Sequence, residues 1–226
     1  MESFGITYEN GNIEISGIPD ANRLFKLPKS ISKDLTDLNL HMTDLNISLE
    51  SLDYIQNNPQ LDRNNVCESL WRSSIIHFIK CFTDQVRGGG KGSRTKLNEN
   101  EIFSNFEPAA LEAFKYFKSL RNKHIVHDEN AYLQSLPGVV LNDGTKDYKV
   151  EKVICASFLA VTLEQANFSN LYNLVSTTLK YTIKLFDEEC NRLTTLLEQH
   201  PDEYFYKMEK LEFEIPLLED VEKTRK

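Results

Sequence analysis

Residues 31–57 read ISKDLTDLNLHMTDLNISLESLDYIQN, and apolar side chains recur in them every three or four positions. This is the spacing of one face of an α-helix, so the segment predicts a long amphipathic helix that ends near Pro59. Leu40 and Ile47 widen the stripe, which is more typical of a bundle helix with several neighbours than of a coiled coil. The stripe consists of Leu35, Leu38, Met42, Leu45, Leu49, Leu52 and Ile55.

Three later segments show the same helical periodicity. The first covers about 64–86 and is expected to end before the glycines at 88–90. The second has Pro108 in its first turn, where proline suits a helix. The third covers about 168–199 and is closed by Pro201. We therefore predict a mainly α fold, an up-and-down helical bundle.

Two short β-hairpins are expected beside the helices. Near the N-terminus, Asn10 and Gly11 separate two runs of alternating apolar residues, and an Asn-Gly pair in this setting favours a tight hairpin turn. Residues 139–154 read VVLNDGTKDYKVEKVI, in which two β-rich runs flank an Asn-Asp-Gly sequence. This pattern predicts a second hairpin.

The predicted elements divide the chain into three parts. Residues 1–28 form an N-terminal hairpin segment packed on the core, and residues 29–200 form the helical domain, which includes the hairpin at 139–154. Residues 201–226 form a C-terminal extension in which apolar residues alternate with glutamates, as in a half-buried edge strand. The alternating residues are Leu211, Phe213 and Ile215.

The composition is that of a globular protein. Of the 226 residues 40% are apolar, and 26 Lys and Arg stand against 34 Asp and Glu, a net charge of −8. A chain of this length can bury a core as one domain or two small ones. The sequence has no basic leader followed by an apolar run and no apolar stretch of about 20 residues, so we expect a cytoplasmic protein without membrane contact. The four cysteines lack zinc-site spacing and are expected to be buried free thiols.

Two short segments concentrate positive charge. The segments 87–96 (RGGGKGSRTK) and 115–123 (KYFKSLRNK) hold eight cations and no acid, which leaves 18 cations against 34 acids, a net charge of −16, elsewhere. A compact basic region on an acidic body suits one polyanionic ligand. Alternatively, the lysines solvate a helix face and the glycine loop is a linker, and the loop does not match the GxxxxGK[ST] phosphate-binding pattern. The expected RNA or phosphate contacts are Arg87, Lys91, Arg94, Lys96, Lys118 and Lys123.

The chemically richest segment is LRNKHIVHDENAY, residues 120–132. Arginine binds phosphate oxygens bidentately, and histidine exchanges protons near neutral pH. Phosphodiester cleavage needs such a pair, one group to exchange protons with the 2′-hydroxyl or the leaving oxygen and one cation for the transition state. Either histidine could instead be a core residue of its helix, and a zinc site would lack the HExxH pattern. The side chains concerned are Arg121, Asn122, His124, His127 and Asp128.

The string FKSLRNKHIVHDENAY, residues 117–132, resembles the signature of the HEPN superfamily, whose active members are all-helical ribonucleases of toxin–antitoxin and phage-defence systems. The family pattern is an Arg, a polar residue that is commonly Asn, several variable residues and a His. It corresponds here to Arg121, Asn122 and His127. The resemblance implies that the histidine transfers protons, the arginine stabilises transition-state charge and the asparagine positions the substrate. His124 and Asp128 are auxiliary candidates, and no metal or other cofactor is implied.

A homodimer is also expected. Six residues along an α-helix correspond to about 9 Å of rise and about 120° of rotation, so Arg121 and His127 of one chain would not easily meet at one phosphate. The resemblance implies a composite site in which two copies of the motif meet across a two-fold interface. Family members paired with a nucleotidyltransferase antitoxin often carry a Tyr two residues after the His. Glu129 stands there in this chain, and the next tyrosine is Tyr132.

The sequence therefore leads to a cytoplasmic, metal-independent endoribonuclease that cleaves single-stranded or loop RNA by attack of the 2′-hydroxyl. The expected context is a toxin–antitoxin or anti-phage defence system, with an antitoxin or defence-system protein as partner. Two other interpretations stay open. A catalytically inactive HEPN-type module would bind RNA, a nucleotide or a protein, and a plain helical scaffold would dimerise through the stripe at 31–55.

Overall fold

The structure, a computed structural model, describes residues 5–9, 12–18, 23–83, 94–103, 108–127, 129–212 and 217–222. It is mainly helical with two short antiparallel hairpins, which confirms the predicted fold class. None of the helices in these ranges combines the length and the apolar character that a membrane crossing requires.

Long helices form most of the described chain. The helices predicted around residues 31–57, after Pro108 and around 168–199 are confirmed as α1, α4 and α5. The short α3 and α6 were not predicted. The bounds are α1 Lys29–Asn57, α2 Glu68–Lys80, α3 Glu99–Phe103, α4 Pro108–Leu120, α5 Gln165–Leu197 and α6 Asp202–Phe205. There are also π-helical turns at Arg63–Cys67 and Arg121–Ile125 and a 3-10 helix at Leu218–Glu222.

The second helix ends earlier than its apolar pattern predicts. α2 stops at Lys80, whereas the prediction continued to Val86. Cys81–Thr83 form a turn, and the carbonyl oxygen of Cys81 accepts a hydrogen bond from the backbone N–H of Leu97 at 2.9 Å. That carbonyl is therefore bonded to the segment that returns after the glycine loop rather than to a further helical turn. Residues 84–93 lie outside the described ranges.

Both predicted hairpins are confirmed. The first has the register expected for a two-residue turn at 10–11, although the turn residues themselves lie outside the described ranges. The second is longer at its base than the predicted 139–154, and Gly144 in its connection has a φ of 86°, which glycine adopts without strain. The strands are β1 Gly5–Glu9, β2 Asn12–Ser16, β3 Leu133–Leu141 and β4 Val150–Leu159.

The chain folds into two compact units. One consists of residues 37–186, and the other consists of residues 1–36 together with 187–226. Both changes of unit fall inside a helix, α1 in one case and α5 in the other. The sequence instead predicts boundaries in the connections near residues 28 and 200.

Within the unit formed by the two chain ends, Phe25 and Lys210 pair as an isolated antiparallel bridge. This bridge is the only pairing that the described residues show near the predicted C-terminal edge strand. Leu211 follows it without joining a strand, and Phe213 and Ile215 lie outside the described ranges.

Aromatic rings fill the centre of the 37–186 unit. Phe114 of α4 lies edge-on to Phe78 of α2 and to Phe82, with ring centroids 6.0 and 4.7 Å apart. Trp71 of α2 lies edge-on to Phe117 of α4 at 5.9 Å. Edge-to-face packing adds to the hydrophobic burial of such rings. These contacts hold α2 against α4.

The buried face of α1 is not the apolar stripe alone. Leu45 and Leu52 are fully buried, whereas the other residues of the predicted stripe are half-buried. Ser48 is also fully buried, and its Oγ donates to the carbonyl oxygen of Ser74 in α2 at 2.9 Å. The polar residues buried on this face are Asp37, His41, Asp44, Ser48 and Ser51. The helix therefore docks through hydrogen bonds as well as through leucines.

A buried hydrogen bond joins the segment after β4 to the aromatic core. The indole Nε1 of Trp71 donates to Oγ1 of Thr162 at 3.0 Å, and both residues are buried. A buried indole N–H without an acceptor is costly, so this bond fixes the chain between the second hairpin and α5.

Thr162→Val tests this bond because valine keeps the side-chain shape and removes the acceptor. We expect the free energy of unfolding, measured by urea denaturation, to fall by about 1–3 kcal/mol. Thr162→Ser keeps a hydroxyl and should lose less. Equal losses in the two variants would show that the hydroxyl does not contribute.

Candidate functional site

The Arg-Asn-His segment lies at the C-terminal end of α4. The helix continues into the π-helical turn Arg121–Ile125, in which the N–H of Val126 donates to the carbonyl oxygen of Arg121 at 3.0 Å. The helix ends there, and His127 lies in the bend that follows. The prediction that Arg121 and His127 lie six residues apart on one helix is therefore wrong, because the helix ends before His127. Such π-helical turns are frequent at functional sites.

Part of the Arg121 guanidinium makes no hydrogen bond to the described residues. The residue is half-buried, and its Nη1 donates to Oδ1 of the neighbouring Asn122 at 2.8 Å. Its Nε is buried and has no hydrogen-bond partner, and no carboxylate pairs with it, among the described residues. A buried donor without an acceptor is unfavourable. The charge of Arg121 is therefore not neutralised by an acid among the described residues.

The two histidines of the segment have different surroundings. His124 is 4% exposed, and its ring lies edge-on to that of Tyr132 with centroids 5.5 Å apart. His124 continues the buried face of α4, which agrees with the alternative that it is a core residue of its helix. His127 is exposed and accessible to a ligand. Asp128 lies outside the described residues.

The predicted phosphate-binding lysines that the structure describes are at least partly exposed. Lys96 and Lys123 are exposed, and Lys118 is half-buried with its Nζ 3.3 Å from Oε1 of Glu99. An exposed pair of this kind is weak and can exchange for a stronger anion. Arg87 and Lys91 lie outside the described residues.

Arg94 is buried, which contradicts the phosphate contact that the sequence predicts for it. Its side chain is buried, and Nη1 donates to Oδ2 of Asp44 in α1 at 2.8 Å. Nζ of Lys80 and Nδ1 of His77, both in α2, lie 2.9 and 2.8 Å from the other carboxylate oxygen, Oδ1. Three donors thus converge on one buried carboxylate, and the charge of Arg94 is used inside the protein.

The charge of Asp44 is maintained by its donors. Burial alone would raise the pKa of this carboxyl, but hydrogen bonds from Lys80, His77 and Arg94 hold the pKa below its usual value of 3.8. Asp44 is therefore ionised at neutral pH. A buried carboxylate is tolerated only with such pairing, and removing one partner is strongly destabilising.

Further polar contacts connect α1 with the start of the segment after the glycine loop. Nε2 of His41 donates to the carbonyl oxygen of Thr95 at 2.7 Å, and the N–H of Thr95 donates to Oδ2 of Asp37 at 2.9 Å. Burial lowers the pKa of His41 and raises the pKa of the Cys81 thiol to about 12. Both side chains are therefore neutral at pH 7, and Cys81 is not a nucleophile.

The sequence holds a signal of this cluster that apolar spacing does not reveal. Polar residues recur along α1 at the same three-four interval as the leucines, one position away from them. Such a stripe is ordinarily solvent-exposed, and it becomes a buried face only when donors from elsewhere cover it. Here one donor, Arg94, comes from 50 residues later in the chain. The stripe comprises Asp37, His41, Asp44, Ser48 and Ser51.

The described ranges offer no metal site, and one cavity in them does not suit a polyanion. In the described ranges no group of three or more His, Cys, Asp and Glu side chains is placed to hold a metal ion. A cavity of about 990 Å³ lies between the end of α1, the segment after β4 and the start of α5. Its described lining includes Glu68 and Glu164 and no cation, so it does not suit a polyanion.

Comparison with known proteins finds no relative. No family model matches the chain, and neither a curated protein nor a solved structure is similar to it. The resemblance of residues 117–132 to the HEPN signature stays a prediction, and function must be inferred from the site itself.

Asp44→Asn tests the buried cluster. We expect the free energy of unfolding at pH 7 to fall by about 3 kcal/mol, because Arg94 remains buried without a carboxylate. The pKa of Asp44 is lower in the folded protein than in the unfolded chain. The stabilisation that ionised Asp44 gives the folded protein is therefore fully present above pH 3.8. It is lost as the pH falls through the lower pKa that Asp44 has in the folded protein. The difference between wild type and variant, measured by urea denaturation, should shrink accordingly in acid.

Glu50→Gln is the matched control, since Glu50 is an exposed acid on the same helix. It should change stability by less than about 0.5 kcal/mol. A loss in Asp44→Asn no larger than in this control would show that the cluster does not stabilise the fold.

Proposed function

We propose that the chain is a metal-independent endoribonuclease whose active site contains Arg121, Asn122 and His127. The substrate is single-stranded or loop RNA, whose unpaired nucleotides can be splayed out at a protein surface. One observation carries the proposal. Arg121 is a half-buried cation bonded to a neutral amide, with a buried Nε that has no partner among the described residues.

The orientation of the guanidinium favours a phosphate ligand. Nη1 donates to Asn122 and Nε is buried, so in this proposal a phosphate oxygen binds at Nη2. Nε donates to a second phosphate oxygen only after the side chains that cover it move. The bond to Asn122 also restricts the guanidinium, which reduces the entropy lost on binding.

His127 provides the proton transfer in this proposal. Histidine exchanges protons near neutral pH, and this residue is exposed, so a ribose hydroxyl can reach it. Asn122 uses its amide oxygen for Arg121 and keeps its NH2 group to donate to the substrate. The three side chains thus supply a base, a cation and a positioning donor within seven residues.

The reaction proceeds by transfer within the RNA. The 2′-hydroxyl gives its proton to His127, and its oxygen attacks the adjacent phosphorus. The bond from phosphorus to the 5′-oxygen breaks, and that oxygen takes up a proton. Arg121 stabilises the charge on the phosphorane oxygens. The products are a 2′,3′-cyclic phosphate and a 5′-hydroxyl, and in a two-fold dimer His127 of the second copy donates the proton to the leaving oxygen.

The biological setting belongs to the same proposal. A toxin–antitoxin or anti-phage role, a cytoplasmic location and an antitoxin or defence-system partner are supported only by the likeness of residues 117–132 to the HEPN signature. The chemistry of Arg121 and His127 does not depend on them.

Cleavage of a mixed single-stranded RNA in EDTA tests the proposal. We expect products with 2′,3′-cyclic phosphate ends, identified by mass spectrometry. His127→Ala and Arg121→Ala should each cleave about 10²- to 10⁴-fold more slowly. DNA of the same sequence should stay intact, because it lacks the 2′-hydroxyl.

His200→Ala is the matched control, because His200 is an exposed histidine far from the motif in sequence. It should cleave at the wild-type rate. Full activity of His127→Ala would refute the proposal. RNA binding without cleavage, weakened by Arg121→Ala and by salt but not by His127→Ala, would instead identify a catalytically inactive RNA-binding module.

A further inference from the structure

The cavity beside the start of α5 has the size of a small-molecule site. Its volume is about 990 Å³, and ligand pockets ordinarily measure about 300–1,000 Å³. It lies within the 37–186 unit, between the end of α1, the π-helical turn before α2, the segment after β4 and the first turn of α5. Most of the described residues that line it are apolar. They include Ile55, Leu159, Val161, Leu163 and Phe168.

The apolar lining is partly open to solvent. Val161 is 73% exposed and Leu159 is 49% exposed, although Thr162, the neighbour of Val161, is buried. Phe168 is half-buried and stacks on Tyr172 with ring centroids 6.2 Å apart. Covering apolar surface at a concave site with an apolar group is favourable. The lining therefore favours an organic molecule with an apolar body.

Hydrogen bonds fix the wall of the cavity that follows β4. Nδ2 of Asn167 donates to the carbonyl oxygen of Thr162 at 2.9 Å, in addition to the bond between Trp71 and the Thr162 hydroxyl. At the other end of the segment, the N–H of Ala160 donates to the carbonyl oxygen of Tyr132 at 2.8 Å. A wall that is already fixed loses little conformational entropy when a ligand binds.

The described lining contains two carboxylates and no cation. Oε1 of Glu68 accepts a hydrogen bond from Nε of Arg72 at 2.7 Å, so Arg72 neutralises this acid. Glu164 forms no ion pair with the described residues. The cavity therefore carries one negative charge that the described part of the chain does not neutralise, next to an apolar wall.

We propose that this cavity binds a small organic amine, whose apolar body packs on Val161 and Phe168 and whose ammonium group lies at Glu164. Glu164 is exposed, so the ammonium group stays in contact with water while the apolar body is removed from it. The desolvation cost of the cation is therefore small. The same carboxylate repels an anion. No step of the proposed RNA cleavage uses this cavity, so the inference is independent of that proposal.

The chain contains a reporter for this site. Trp71 is its only tryptophan, and the indole N–H is bonded to Thr162, which lies between the lining residues Val161 and Leu163. A ligand that contacts this segment changes the surroundings of the indole, so binding is measured as a change in tryptophan fluorescence. Thiol labelling is less suitable, because the cysteine of the lining is buried. Cys155 in β4 is exposed and would react first, contrary to the prediction that all four cysteines are buried.

Titration of the full chain with three probes of similar size tests the proposal. At pH 7 phenylbutylamine is a cation, phenylbutanol is neutral and phenylbutyrate is an anion. We expect saturable binding of the amine with a Kd on the order of a millimolar. The alcohol should bind about 2- to 5-fold more weakly, which is the effect of one exposed ion pair, and phenylbutyrate more weakly still. Absence of saturable amine binding up to about 20 mM, or equally tight binding of phenylbutyrate, would overturn the proposal.

Glu164→Gln and Glu112→Gln form the matched pair of variants. Both acids are exposed, and of the two only Glu164 lines the cavity. Each variant removes one unit from the net charge of −8, so any nonspecific attraction of a cation falls equally in both. Glu164→Gln should bind the amine about 2- to 5-fold more weakly than wild type and the alcohol equally well, whereas Glu112→Gln should match wild type for both probes.

Equal affinities of the two variants for the amine would contradict the inference, because the carboxylate at the cavity would then contribute nothing. Since the readout is a dissociation constant for an amine, the result does not depend on whether the chain cleaves RNA.

Discussion

The buried carboxylate of Asp44 is the interaction on which the arrangement of α1, α2 and residue 94 depends. Donors from α2 and from Arg94 meet on its two oxygens, and Asp37 and His41 bind the adjacent Thr95. The helix α2 and the chain that returns from the glycine loop are therefore fixed to one face of α1. Hydrophobic contacts are non-directional, whereas these bonds allow only one rotation of α1 about its axis.

This cluster changes the meaning of the basic segment 87–96. The sequence does not distinguish its four cations, and it predicts that all four contact a polyanionic ligand. The structure separates them, because Arg94 is buried against Asp44 while Lys96 is exposed. Charge counted along a sequence does not distinguish a cation that neutralises a buried carboxylate from one that faces solvent.

Arg121 and the second hairpin depart from ordinary folding preferences, as do Nη2 of Arg94 and Nδ1 of His41, which are buried without a hydrogen-bond partner among the described residues. Arg121 retains a buried Nε without a partner among the described residues, and the second hairpin exposes apolar residues on both faces. Each feature is unfavourable in an isolated chain.

The sequence by itself determined the helices α1, α4 and α5 and both hairpins, since apolar periodicity, Pro108 and the Asn-Gly turn act within a few residues. It also isolated Arg121, Asn122 and His127 as a chemical group. Only the tertiary structure decided the end of α2, the burial of His124 and Arg94, and the exposure of Cys155. These depend on contacts between residues far apart in the chain. A side chain's burial and charge are set by the groups that surround it in space, which spacing along the sequence does not specify.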